Sequence, residues 1–289
     1  HRRRQTHRQS ERLMKPQPLP PKWQVPDADP ETVMAAYLGT IETAIRHHPR
    51  SLQKAIGPSE IGADCMRRLA YKILGIDERP CAPNWKATIG TAVHAWLEGV
   101  FDVDDGGSNI KRWYTETRVD VGEIPGLGHI TGSCDLYDRM TGTVLDHKVV
   151  GPAQLRKYRV NGPSKQYRTQ AHLYGRGWVR AGLPATHVAI FFLPRNGELN
   201  EAYLWHEPYD EQVALDGLNR LAGVAALAAR MGTDMLPLMP TADQYCVTCP
   251  FHRPGSGDLT GGCPGHPRDD QPATSPLSFT KGNTKGKTS

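Results

Sequence analysis

The run GHITGSCDLYDRMTGTVLDHKVV, residues 128–150, constrains this chain more than any other part of it. It holds two stretches rich in β-branched and aromatic residues, separated by a Gly-containing turn, which is the composition of neighbouring strands. WYTETRVDV, just upstream, reads as a further strand. Helical signals surround these three. Asp29-Pro30-Glu31 supplies a cap, a first-turn proline and a first-turn acid, and Leu38, Ile41 and Ile45 share one face before His48-Pro49 stops the pattern. Ser59 is expected to cap a second helix that carries Cys65 and ends at Gly75, and a third is expected from about Pro83 to Phe101. After the strands come a helix over roughly 164–182, the strands HVAIFFL and EAYLWHE, and a long helix from Asp210 to about Met231. The order α, β, β, β, α, β predicts an α/β core on a mixed sheet.

Asp135 falls on one strand of the opening run, and Asp146 and Lys148 stand two apart on the next, so alternation puts the latter pair on one sheet face. Two carboxylates beside an amine suit phosphodiester hydrolysis. Hard divalent cations favour carboxylate oxygens, and such a cation offsets developing phosphoryl charge and acidifies bound water. Lys148 would orient that water or help deprotonate it. An acid-x-Lys pair alone is more often a solvated strand face, so the flanking segments decide. Upstream, GTAVHAWLEG sets His94 and Glu98 four apart on one helix face; downstream, QAHLYGRGW sets Gln170 and Tyr174 at the same spacing.

With those segments the chain resembles the RecB-like nucleases of the PD-(D/E)xK superfamily, whose ordered pattern is GxxxH, GxxD, DxK and QxxxY. Here the four elements read Gly90 to His94, Gly132 to Asp135, Asp146 to Lys148 and Gln170 to Tyr174, in order. The resemblance covers roughly residues 57–265 and implies a restriction-endonuclease-like core, a mixed central sheet flanked by helices. It also implies a Mg or Mn ion held by His94, Asp135, Asp146 and the backbone carbonyl of His147, with Lys148 catalytic and Gln170 and Tyr174 completing the site near DNA. Glu116, in TETRVDV, could assist the metal or the DNA, although a surface carboxylate is its more ordinary reading. Cys134, beside Asp135, reads as a buried structural thiol, and Cys81 is unassigned.

Cys65 and a late trio in YCVTCPFHRPGSGDLTGGCPGH, namely Cys246, Cys249 and Cys263, resemble the iron-sulfur subset of the same family, which includes the CRISPR-associated exonucleases and the AddB-type nuclease domain. Four thiolates suit a [4Fe-4S] cluster or tetrahedral zinc. The 13 residues between Cys249 and Cys263 exceed the short gap of that subset, which leaves zinc open with His252 or His266 as substitutes. Either metal would join the N- and C-terminal parts of the domain.

The 289 residues accommodate one catalytic domain with appendages, and Lys+Arg 35 against Asp+Glu 30, formally +5 at pH 7, suits a polyanionic partner. Arg156, Lys157, Arg159, Lys165 and Arg168, interleaved with Tyr158 and Tyr167, form the expected DNA-binding segment, basic groups tracking phosphates and aromatics stacking on unpaired bases. Residues 1–27 are basic and then Pro-rich and 266–289 are polar, so both read as disordered tails, with a helix and linker over 28–56 and the nuclease domain over 57–265. Met14 is a candidate start. GNTKGKT near the end is one residue short of a phosphate-binding loop and lacks the flanking strand and helix. With no membrane-length apolar run and no secretory signal, a cytoplasmic protein is expected. The functional expectation is an exonuclease on single-stranded DNA ends, in recombination, repair or CRISPR adaptation with partner proteins, plausibly phage-encoded. A structure-selective endonuclease and a catalytically inactive metal-cluster DNA-binding protein are the alternatives.

Overall fold

The computed structural model describes residues 30–48, 55–79, 83–104, 111–242 and 246–266. The expectations for the tails, Met14, the Asp29 cap, Cys81 and GNTKGKT fall outside these residues. Among the described residues, twelve elements carry the fold: α1 (Pro30–Arg46), α2 (Pro58–Ile61), α3 (Met66–Ile73), α4 (Trp85–Asp104), β1 (Trp113–Ile124), β2 (Gly128–Asp138), β3 (Thr143–Val150), α5 (Pro152–Asn161), α6 (Lys165–Arg180), β4 (His187–Pro194), β5 (Tyr203–Pro208) and α7 (Glu211–Met231). The strands form one mixed five-stranded sheet in the order β1-β2-β3-β4-β5, flanked by helices.

Three of the four strand pairs are antiparallel, and β3 with β4 is the parallel one. A parallel pair needs a crossover, which α5 and α6 supply. β4 is apolar along most of its length and is buried almost throughout, whereas β5 at the sheet edge alternates half-buried and exposed. α6 covers the sheet. Ser164 caps it by accepting from the Tyr167 amide (3.3 Å), and Trp178 stacks on Tyr137 of β2 with centroids 4.3 Å apart. α7, capped by Asp210 accepting from Gln212 N (2.9 Å), buries Leu218, Leu221 and Val224 behind α6. A second apolar cluster joins Leu69 and Tyr71 of α3 to Val224, Met235, Leu236 and Phe251. None of the described helices is long and apolar enough to cross a membrane.

The single helix expected from Ser59 to Gly75 is instead two, α2 and α3, and Gly57 rather than Ser59 caps the first. Arg220 of α7 explains the break. Its guanidinium donates to the carbonyls of Ile61 (3.3 Å) and Ala63, acceptors that a continuous helix would use itself. The amides of Met66 and Arg67 turn to Pro240 O, at 3.0 and 3.3 Å, and Cys65 becomes the residue preceding α3. α5 is not evident in the sequence because it buries only Leu155 and has no apolar period.

Candidate functional site

β2 and β3 pair at Asp138↔Thr143, Tyr137↔Val144 and Leu136↔Leu145, and then part. The next residues on each strand are Asp135 and Asp146. On its other side β3 stays paired with β4 through Lys148↔Phe192 and beyond, so the opening affects one edge only. An amide freed from its ladder needs an acceptor. Asp135 provides it: Oδ2 accepts from His147 N at 2.7 Å. The His147 carbonyl lies 3.1 Å from Nε2 of His94, which α4 carries over the gap.

Asp146 is buried, and the Nε2 amide of Gln170 donates to its Oδ1 at 2.9 Å. Lys148 Nζ lies against its Oδ2 and stands 4.9 Å over the Tyr167 ring. Nδ1 of His94 faces Asp135 Oδ1 at 3.4 Å and Glu116 Oε1 at 3.9 Å. His94, Glu116 and Asp135 form a group whose ligand atoms all lie within 4.8 Å of one another. Glu98 does not join it. Tyr174 is buried nearby, with an edge carbon within 3.3 Å of where a Cβ on Gly132 would stand. Thus the structure brings together His94, Asp135, Asp146, Lys148, Gln170 and Tyr174, and adds Glu116.

The electrostatics of the cluster are those of a site that wants positive charge. Burial pulls the His94 imidazole down, but the carboxylates of Asp135 and Glu116 outweigh it and hold the ring up at about 9. Asp135, despite a burial cost, is held down at about 2 by His94, Lys148 and the His147 amide. Burial drives Asp146 the other way, to about 6, with Lys148 opposing and Asp135 adding to the rise. The Lys148 ammonium is raised because the two aspartates overcome its own burial. Burial also pushes the Tyr174 phenol far up, so it stays a neutral donor. His94 Nδ1 and Asp146 Oδ2 are buried and make no hydrogen bond, although Lys148 pairs with the latter by charge. Carboxylates, an imidazole nitrogen and orphaned buried acceptors are a donor set into which a divalent cation fits.

The expected DNA segment divides. Arg156 and Lys157 on α5 and Lys165 at the start of α6 are exposed. Arg159 instead donates to the Glu201 carbonyl, and Arg168 pairs with Glu207. Tyr158 and Tyr167, both half-buried, pack against the core, Tyr158 stacked on Phe192 with centroids 4.4 Å apart. Cys134 is fully buried, with its thiol toward Leu136 O.

At the other end of the domain Cys65, Cys246, Cys249 and Cys263 line one pocket together with Arg68, Tyr71, Phe251, His252 and His266. All four are free thiols. Burial pushes Cys249 up, and Arg67 Nη1 lies 3.8 Å from Cys263 Sγ. Four thiols around one pocket are a donor set that either zinc or an iron-sulfur cluster would fit.

No family model matches the sequence, and no curated protein matches it. Among solved structures, an alkaline exonuclease from Laribacter hongkongensis is similar, with a TM-score of 0.46 and 11% identity over 61% of this chain and 89% of that one. The protein SSO0001 gives 0.45 with 19% identity over 76% and 94% of the two chains. A phage related exonuclease from Haemophilus somnus 129PT gives 0.40 with 13% identity over 62% and 96%. Likenesses this distant leave the assignment of function to the chain's own residues.

Proposed function

We propose that the chain is a divalent-cation-dependent deoxyribonuclease of the PD-(D/E)xK type, with a RecB-like active site, that works as an exonuclease on single-stranded DNA ends. The observation carrying this reading is the convergence of Asp135, Asp146, Lys148, His94 and Gln170 where β2 and β3 part. Asp135, Asp146, His94 and the His147 carbonyl would hold Mg or Mn. Bound there, the cation would offset phosphoryl charge and acidify its water. Asp135 locks the His147 peptide, and Gln170 fixes one oxygen of Asp146, so the ligands are oriented before any substrate arrives. Lys148, held cationic by both aspartates and lying against Asp146, would orient the attacking water. Arg156, Lys157 and Lys165 supply the exposed positive charge for the strand's phosphates. The four cysteines that line one pocket would hold a [4Fe-4S] cluster as a structural staple, with zinc as the alternative. Recombination, repair or CRISPR adaptation is the setting for such an activity.

End-labelled linear and covalently closed single-stranded DNA, incubated with the purified protein and Mg or Mn, test this. Linear DNA should be consumed and circles spared, with Asp146→Ala and Lys148→Ala each slowing cleavage by about a hundredfold or more. Rapid loss of circles would show an endonuclease. Undiminished cation-dependent cleavage by Asp146→Ala would remove the assignment.

A further inference from the structure

We propose that Glu116 is a ligand of the cation, closing the site with His94 and Asp135, and that a left-handed backbone is what delivers it; this role presupposes the nuclease reading of the cleft. β1 pairs with β2 at Thr115↔Leu136 and Thr117↔Cys134, and Glu116 lies between these, level with Asp135. Its φ is +39°, and among the described residues it is the only one other than glycine with a positive φ. For a residue with a Cβ that conformation costs about 1–3 kcal/mol, and it persists only where the surroundings impose it. Here it coincides with the approach of the Glu116 carboxylate to Nδ1 of His94, at 3.9 Å.

The imidazole gives a second, independent indication. Its Nε2 is occupied by the His147 carbonyl (3.1 Å), while Nδ1 is buried, makes no hydrogen bond and faces two carboxylates. A metal-binding histidine is commonly fixed in this way, one nitrogen anchored to a backbone carbonyl and the other turned to the ion. One imidazole nitrogen with two carboxylate oxygens is a mixed donor set, and it favours Mn²⁺ over the harder Mg²⁺. Asp146 stands outside this trio, with Gln170 on one oxygen and Lys148 against the other. Glu116 would therefore bind beside His94 and Asp135, adding its oxygen to the ligands that Asp146 and the His147 carbonyl supply.

Mn²⁺ binding to the full chain, followed by calorimetry and by the electron paramagnetic resonance signal of the free ion, separates the outcomes. Glu116→Gln should weaken Mn²⁺ binding at least tenfold while leaving far-ultraviolet circular dichroism unchanged. Glu116→Gly should weaken it as much, and should raise the thermal midpoint because glycine adopts this φ without strain. Wild-type affinity for Mn²⁺ in Glu116→Gln would overturn the ligand role and leave the nuclease reading standing. A wild-type chain that binds no Mn²⁺ would overturn both. A Glu116→Gly midpoint at or below wild type would overturn the backbone half.

Discussion

Gly132 and Gly90 are the glycines of the GxxD and GxxxH segments, yet replacing them with alanine should have opposite effects. A Cβ on Gly132 would stand 2.7 Å from Pro58 Cδ, 2.9 Å from Pro58 Cγ and 3.3 Å from Tyr174 Cε1. Carbon atoms rest about 3.5–4.0 Å apart, so Pro58 must retreat by about 0.8 Å. The proline ring is rigid and buried in α2, so the displacement falls on backbone that packs against α6. Overpacking of this kind costs about 1–3 kcal/mol. At about 2–4 °C per kcal/mol, the melting midpoint of Gly132→Ala should fall by about 2–12 °C. Gly90 sits inside α4, and a Cβ there would meet nothing within 4 Å. Gly90→Ala should gain about 0.5–1 kcal/mol, because glycine is the poorer helix former. Urea unfolding of both variants with an unchanged m-value checks the pair. A Gly132→Ala midpoint at or above wild type, or a Gly90→Ala midpoint below it, would show that contact geometry does not govern these positions.

Three further outcomes are expected. Asp138 accepts from Arg112 Nε and Nη2, both at 3.0 Å, and although burial opposes it, these bonds with Thr141 and the Met140 amide hold its carboxyl below the usual range. A depressed folded-state value gives stability that is present above the unfolded value, about 3.9, and is lost as pH falls through the folded one. Asp138→Asn should therefore cost about 1–2 kcal/mol at pH 7, allowing for the exposure of Arg112, and less and less as pH falls below about 4; a deficit that does not shrink with falling pH would refute the ion pair. Replacing Arg156, Lys157 and Lys165 with alanine should reduce the salt dependence of single-strand binding, by about 0.7 in log–log slope for each phosphate that is no longer neutralised, and an unaltered slope would remove these residues from the interface. Protein prepared without air should be brown, with about four irons per chain, and should lose its colour in Cys65→Ser, Cys246→Ser, Cys249→Ser and Cys263→Ser but not in Cys134→Ala; a colourless protein holding one zinc would refute the iron-sulfur assignment.

The sheet and its central acids are legible in the sequence because the information is local. β-branched alternation marks β1 to β3, and the spacing of Asp146 and Lys148 survives folding as one pair on one strand. Gln170 and Tyr174 are legible for the same reason, being one helical turn apart on α6. The features that stay hidden depend on partners distant in sequence. The α2–α3 break is imposed by Arg220, more than 150 residues away. Glu116 looks like any strand carboxylate until its backbone conformation is known. Tyr158 and Tyr167 sit among basic residues in sequence, and only the position of Phe192 on β4 shows that their rings face inward. Arg168 and Lys165 are alike on paper, but Glu207 of β5 takes one and leaves the other exposed.

The cysteine pocket and the acidic cleft share no residue, yet α2 connects them through short, specific contacts. Lys72 of α3 donates to both oxygens of Glu60 on α2, at 2.8 and 2.9 Å, and both side chains are largely buried. Two residues earlier in α2, the Pro58 ring fills the space that a side chain at Gly132, three positions before Asp135, would need. Gln166 of α6 donates to Ser59 O, and Gln170, four residues on, fixes Asp146. A shift of α3 therefore has two routes to the carboxylates, one through Pro58 and one through α6. α3 itself is tied to the late segment by Tyr71, which stacks on Phe251 and donates to Leu259 O (2.7 Å), and by Arg67, which donates to Leu236 O (3.1 Å). These contacts hold the four sulfurs in one pocket without any disulfide. A metal cluster there would add covalent strength at the point where the early and late parts of the chain meet, and so act on the base of α2. In a close-packed interior a displacement of a few tenths of an ångström is transmitted rather than absorbed. A cluster bound at the cysteines would therefore firm the geometry at Asp135 through α2, the helix that packs beside Gly132.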